Sequence, residues 1–203
     1  MFQRNLLYRV LGVCPLYIAV AYQALLSASR LVDASTFVTF NDETAWQNAS
    51  GSTVLEDFES FATGSQISVL PVLGVGFDFL AGGGYPNIYR YTTNTTPYGR
   101  KHLGNFPNGI NQINRWDSIS MTVLPGATIT AVGYWNGDGQ NDTLVAVAYD
   151  ADGQTLGSVG ALKGHFAGFL SSVPVARVVF EGNTGDGVIN IEDLSLMAAN
   201  WLR

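Results

Sequence analysis

From residue 118 onward, apolar residues alternate with polar or small ones in short runs at regular intervals. The runs are SISMTVL (118–124), TITAVGYW (128–135), TLVAVAYD (143–150), TLGSVGAL (155–162), HFAGFLSS (165–172) and VARVVFEG (175–182). A period of two sends successive side chains to opposite faces, so each run predicts a half-buried strand. Turn sequences such as NGDGQND (136–142) and DADGQ (150–154) separate them. The first half is less regular. STFVTF (35–40), TVLEDFES (53–60) and VLGVGFDFLAGGG (72–84) predict strands, the last running into a glycine loop, and 85–106 reads as an irregular tyrosine-rich segment. NDETAWQNA (41–49) predicts a short helix, with Asn41 as N-cap and acidic residues in its first turn. Two half-buried sheets packed face to face accommodate this pattern: an all-β antiparallel β-sandwich.

Both ends break the alternation. In GDGVINIEDLSLMAANWL (185–202) Asn190 stands as an N-cap, Asp193 at N3, and Ile191, Leu194, Ala198 and Trp201 on one helical face, which predicts a short C-terminal helix. At the other end Arg4 and Arg9 precede the apolar run VLGVCPLYIAVAYQALLSA (10–28), the n-region and h-region of a secretory signal peptide. VDA (32–34) offers short side chains for cleavage, so the chain divides into a signal peptide (1–34), a sandwich (35–182) and a terminal segment (183–203). The alternative is an uncleaved membrane anchor, against which Pro15 and Gln23 count. The protein is thereby expected outside the cell or on its surface.

Removal of residues 1–34 takes Arg4, Arg9, Arg30 and Asp33, leaving seven basic and 15 acidic residues and moving the net charge from −6 to −8. Such a domain suits neither nucleic acid nor an anionic membrane, and is compatible with calcium and neutral sugars. The single cysteine, Cys14, leaves with the signal segment, which excludes disulfides, cysteine nucleophiles and thiolate metal sites. His102 and His165 are the only histidines, and no nucleophile elbow, phosphate loop or dinucleotide fingerprint is present. A two-carboxylate glycosidase drawn from Glu56, Asp57 or Glu59 with Glu181 needs no motif, but a catalytic groove needs more chain. The chain is expected not to be an enzyme.

Tyr85, Tyr89, Tyr91 and Tyr98 fall among Asn, Thr and Arg, and Trp135 stands on a predicted strand. Flat apolar rings beside hydrogen-bonding groups suit a sugar ring, so these five are the candidate ligand-binding residues. In the terminal segment Gly187 sets an EF-hand register with Asp186 at position 5 and Asp193 at position 12, but Gly182 and Thr184 stand where two oxygen ligands should be.

FNDETAWQNA, TVLEDFES, GVGFDF, ITAVGYW, HFAGFLSSVPVARVVFEG and NIEDLS together resemble the secreted bacterial β-sandwich domains found in PEP-CTERM proteins. The resemblance implies a jelly roll like that of carbohydrate-binding modules, and a structural calcium clasped by Glu59 and Asp193, with Glu192 as a further candidate. No Pro-Glu-Pro motif, hydrophobic tail helix or Arg cluster follows, so it does not extend to sorting. Residues 185–202 resemble one half of a dockerin repeat, the calcium loop and helix that tie secreted enzymes to scaffolding proteins. The expectation is a secreted module that binds extracellular polysaccharide. The alternative is a cell-surface assembly protein that docks a scaffold partner through the dockerin-like helix.

Overall fold

The alternating runs become strands at the positions their periodicity requires. The computed structural model describes residues 36–80, 84–90, 97–104, 118–137, 143–182 and 190–198; at Tyr89, Asn190, Glu192, Asp193, Ser195, Met197 and Ala198 it describes the backbone path. The signal segment expected over 1–34 lies outside these residues. The strands are β1 (Phe37–Phe40), β2 (Val54–Glu56), β3 (Val69–Leu70), β4 (Val75–Phe79), β5 (Asn87–Arg90), β6 (Lys101–Gly104) and β7 (Ile119–Val123). They continue with β8 (Ile129–Asn136), β9 (Thr143–Tyr149), β10 (Thr155–Leu162), β11 (Phe166–Val175), β12 (Arg177–Gly182) and β13 (Asn190–Ala198). One helix, α1 (Glu43–Ser50), follows β1.

Among the described residues, one antiparallel sheet runs β1-β11-β8-β13-β6-β5 with β2 also paired to β13, and a second runs β10-β9-β12-β7-β4-β3. Their inner faces share one core. Val132, Tyr134, Phe169, Leu194 and Leu196 from the first sheet join Phe77, Met121, Ala146, Val178 and Phe180 from the second. Full burial of an aliphatic or aromatic side chain contributes about 1.5–3 kcal/mol, so this shared core is what holds the two sheets together. Tyr134 fastens them directly. Its ring meets Phe180 edge-on at 5.3 Å, and its hydroxyl donates within reach of the carbonyls of Leu144 (2.8 Å) and Val159 (3.0 Å) on the second sheet. Burial raises the phenol's pKa above its usual value, the backbone groups of Ala146 and Ala161 pulling the other way. Asn136, also buried, adds a second tie by donating Nδ2–H to the Ala161 carbonyl at 2.9 Å.

Helix α1 lies on the outer face of the first sheet. Its N-cap is Asp42, one residue beyond the expected Asn41: Asp42 Oδ1 accepts from the Ala45 amide at 2.7 Å and satisfies an otherwise orphaned donor. Trp46 is the anchor, fully buried against Ala131 and Phe166, with its Nε1–H donating to the Phe169 carbonyl at 3.1 Å. The seat is a pair of glycines facing each other across β8 and β11, Gly133 and Gly168. A Cβ on Gly133 would stand 2.7 Å from the Phe166 ring, and one on Gly168 2.8 Å from the Trp46 ring. Only hydrogen leaves room for both aromatics.

The C-terminal helix expected over the end of the chain is corrected by β13. Asn190–Ala198 is a strand in the interior of the first sheet, hydrogen-bonded to β8 on one side and to β2 and β6 on the other. The reason is a β-bulge. Ile191 pairs with Asn136 but Asp193 already pairs with the next β8 residue, Trp135, so β13 carries one extra residue at Glu192. The insertion leaves Ile191, Leu194 and Leu196 buried while spacing the first two by three, which is also helical spacing. Two other expectations change. The irregular segment 85–106 holds β5 and β6, and the strand expected through residue 60 ends at Glu56 in a tight turn.

Candidate functional site

Two of the expected ring residues meet on the outer face of the first sheet, around a carboxylate that the sequence does not single out. Glu43 stands in the first turn of α1, where a negative charge is favoured by the helix dipole. Tyr98 donates its hydroxyl to Glu43 Oε1 at 2.9 Å. Trp135 donates Nε1–H to Glu43 Oε2 at 3.3 Å, and Gln47, one turn along the helix, donates Nε2–H to Oε1 at 3.2 Å. All three principal side chains, Glu43, Tyr98 and Trp135, are half-buried, so the cluster reaches solvent. The rings beneath it are continuous: Trp135 meets Phe166 edge-on at 6.0 Å, and Phe166 meets Trp46 at 5.6 Å. Asp193 is paired with Trp135 across β13 and β8, which adds an acidic position to the same end of the sheet.

The Tyr98 segment is held at a second point. Glu59 Oε1 accepts from the backbone amides of Arg100 (2.6 Å) and Lys101 (2.7 Å). Lys101 Nζ donates in return to the carbonyls of Glu59 (2.5 Å) and Phe61 (2.6 Å). A Cβ on Gly99 would collide with the Glu59 carboxylate, so the close approach requires glycine there. Burial alone would raise the Glu59 pKa, but the two amides and the positive charges of Lys101 and Arg90 outweigh it and hold the carboxyl below its usual value.

These contacts bear on the calcium expectation. Two backbone amides already converge on Glu59 Oε1, so a calcium ion at this residue would have to be bound through Oε2. Among the described residues no group of three or more His, Cys, Asp or Glu side chains is arranged to hold a metal. Register brings the strand partner of Glu56, Leu194, next to Asp193, but the Asp193 side chain and the whole of Asp186 lie outside what is described.

The neighbouring acidic residues also serve the backbone. Glu56 Oε1 accepts from the Phe58 amide at 2.8 Å and Asp57 Oδ1 from the Glu59 amide at 3.0 Å. They hold Phe58 at φ 58°, in the left-handed region, with its ring fully buried. A left-handed non-glycine residue costs about 1–2 kcal/mol, which the buried phenyl ring offsets. Burial raises the Glu56 pKa, opposed by the Phe58 amide and reinforced by the Asp57 charge.

Of the remaining expected ligand residues, Tyr85 is the one whose side chain is described. Tyr85 is exposed before β5, Tyr89 lies in β5 paired with His102 of β6, and Tyr91 is outside the described residues. Glu43 and Gln47 are the site residues that the sequence reading missed. Their signal lay in the N-cap motif alone, since the partners Tyr98 and Trp135 stand 55 and 92 positions away.

No family model matches this chain, and no curated protein matches it. Among solved structures it is similar to a two-domain protein of unknown function from Bacteroides fragilis, at 12% identity and a TM-score of 0.34, covering 70% of this chain and 47% of that one. It is also similar to the enzymatically active domain of tailspike protein 4 of bacteriophage CBA120, at 11% identity and a TM-score of 0.34, covering 64% of this chain and 21% of that one. The chain thus spans about half of the first protein and about a fifth of the second, and neither likeness carries a structural or functional argument.

Proposed function

We propose that this chain is a secreted, non-catalytic β-sandwich that binds extracellular polysaccharide on the outer face of its first sheet. The observation that carries the proposal is the convergence of Tyr98 and Trp135 on Glu43 at a half-exposed position. A sugar needs an apolar ring face and fixed hydrogen-bonding groups beside it, and this cluster offers both. Pre-organisation favours binding: α1 is locked by Trp46, and the Tyr98 segment is tied to Glu43 and Glu59, so little conformational entropy is lost on contact.

Assembly through a dockerin-like helix has less support, because residues 190–198 form an interior strand with both backbone edges paired. A partner would have to engage another surface.

The test is affinity electrophoresis in gels containing soluble polysaccharides, with wild type beside Tyr98→Phe and Trp135→Phe variants whose melting temperatures match it. Retardation by at least one polymer, weakened in both variants, is the expected result. Equal mobility of wild type in every gel and in a polymer-free gel would overturn the proposal.

A further inference from the structure

We infer that the Glu43 cluster selects neutral, hydroxyl-rich polysaccharides and rejects those carrying uronate groups. The inference rests on the binding function proposed above and deepens it. The centre of the site is a carboxylate, and its oxygens can only accept hydrogen bonds. Oε1 accepts from both Tyr98 and Gln47, while Oε2 is contacted by Trp135 at 3.3 Å, near the long end of the range. Oε2 therefore keeps capacity for a further donor, which a sugar hydroxyl supplies and a ligand carboxylate does not.

The neighbouring acidic side chain acts in the same direction: Asp42 stands beside Glu43 and directs Oδ1 into the helix as its cap. The cation nearest in sequence to Tyr98 whose charged end is placed, Lys101, is engaged by the carbonyls of Glu59 and Phe61. Arg90 acts on Glu59, and Arg177 lies over the Tyr149 ring on the second sheet at 4.5 Å. Arg100, exposed two residues beyond Tyr98, is the cation of this segment that would oppose the selection. A uronate brought to Trp135 would meet Glu43, which Trp135 contacts directly. Like charges set close together across an interface are a device for rejecting the wrong ligand.

The experiment compares dissociation constants from affinity electrophoresis for a neutral soluble β-glucan and for polygalacturonate. The proteins are wild type, Glu43→Gln and Asp152→Asn. The last removes a charge from the exposed β9–β10 loop and controls for net charge. Wild type should bind the neutral polymer at least about tenfold more tightly than polygalacturonate. Glu43→Gln should narrow that ratio to about threefold or less, and Asp152→Asn should leave it unchanged. If Glu43→Gln does not fold, the wild-type ratio should still shrink as sodium chloride is raised, because screening weakens the repulsion. Equal binding of the two polymers by wild type, or a ratio that neither Glu43→Gln nor salt alters, overturns the selectivity while leaving the binding function intact. Failure of wild type to bind either polymer, or any member of the wider panel, overturns the binding function itself.

Discussion

Acidification from pH 6.5 to 5 should weaken the fold by about 2 kcal/mol through one residue, His102. The imidazole is 1% exposed on β6, between β5 and β13 in the first sheet. Burial drives its pKa down from 6.5 to about 3, opposed only in part by a hydrogen bond to the Arg100 backbone. Between those two values the unfolded chain binds a proton that the folded one excludes, so stability is full above pH 6.5 and falls with pH until about 3. Each pH unit in the window removes about 1.4 kcal/mol, a large fraction of a typical stability of about 5–15 kcal/mol. Urea unfolding of wild type and His102→Gln at pH 7.5, 6.5, 5.5 and 5 measures it. The variant starts from a lower stability because the site is packed for imidazole, but its curve should be flatter by about 2 kcal/mol across the interval. The difference between the two curves removes the carboxylates. Glu59, held below its usual value, loses stability only as pH falls beneath the ordinary carboxylate range, and Glu56, pushed above it, acts in the opposite sense. Parallel curves would refute the argument, showing that His102 charges without unfolding the sheet.

Four further outcomes follow from the same contacts. Truncation after residue 189 removes β13 from between β8 and β6, so the domain should lose its cooperative melt by circular dichroism; an unchanged melting temperature would mean that β13 is dispensable. Gly99→Ala sets a methyl group against the Glu59 carboxylate and should destabilise by about 1–3 kcal/mol in chemical denaturation. Glu59→Gln keeps an oxygen for the two amides but loses the charge, so it should destabilise by about 1–2 kcal/mol in chemical denaturation, by the same amount with and without EGTA; a loss confined to calcium-loaded protein would place calcium at Glu59. Gly133→Ala drives a methyl group into the Phe166 ring beneath Trp46 and should cost about 1–3 kcal/mol, with a change in near-ultraviolet dichroism as the Trp46 environment shifts.

The sandwich was legible wherever a strand alternates cleanly. β7 to β12 fall within a residue or two of the runs that announced them, except that β11 extends through Val175. It was illegible where one residue breaks the period. At β13 the bulge at Glu192 separates Ile191 from Leu194 by three, and a strand with one extra residue then carries the spacing of a helix. At the acidic turn, Phe58 alone adopts a left-handed backbone, so Asp57 and Glu59 leave the strand that alternation assigned to them. β5 and β6 are four residues each, and β6 buries a histidine and a glycine, which no apolar pattern marks. Tyr98 and Trp135 were visible as ring residues suited to a sugar, but nothing local connects them with Glu43. Their meeting depends on where the Gly133 and Gly168 seat places helix α1.

The most direct measurement is a fluorescence titration of the full chain with a soluble neutral polysaccharide that retards it in the gel, run in parallel on Trp135→Phe. Trp135 is half-exposed and bonded to Glu43, so a ligand seated there should change wild-type emission saturably. The variant, which retains Trp46, Trp116 and Trp201, should show a markedly smaller change and weaker affinity. Identical titration curves for the two proteins would contradict a binding site on the outer face of the first sheet.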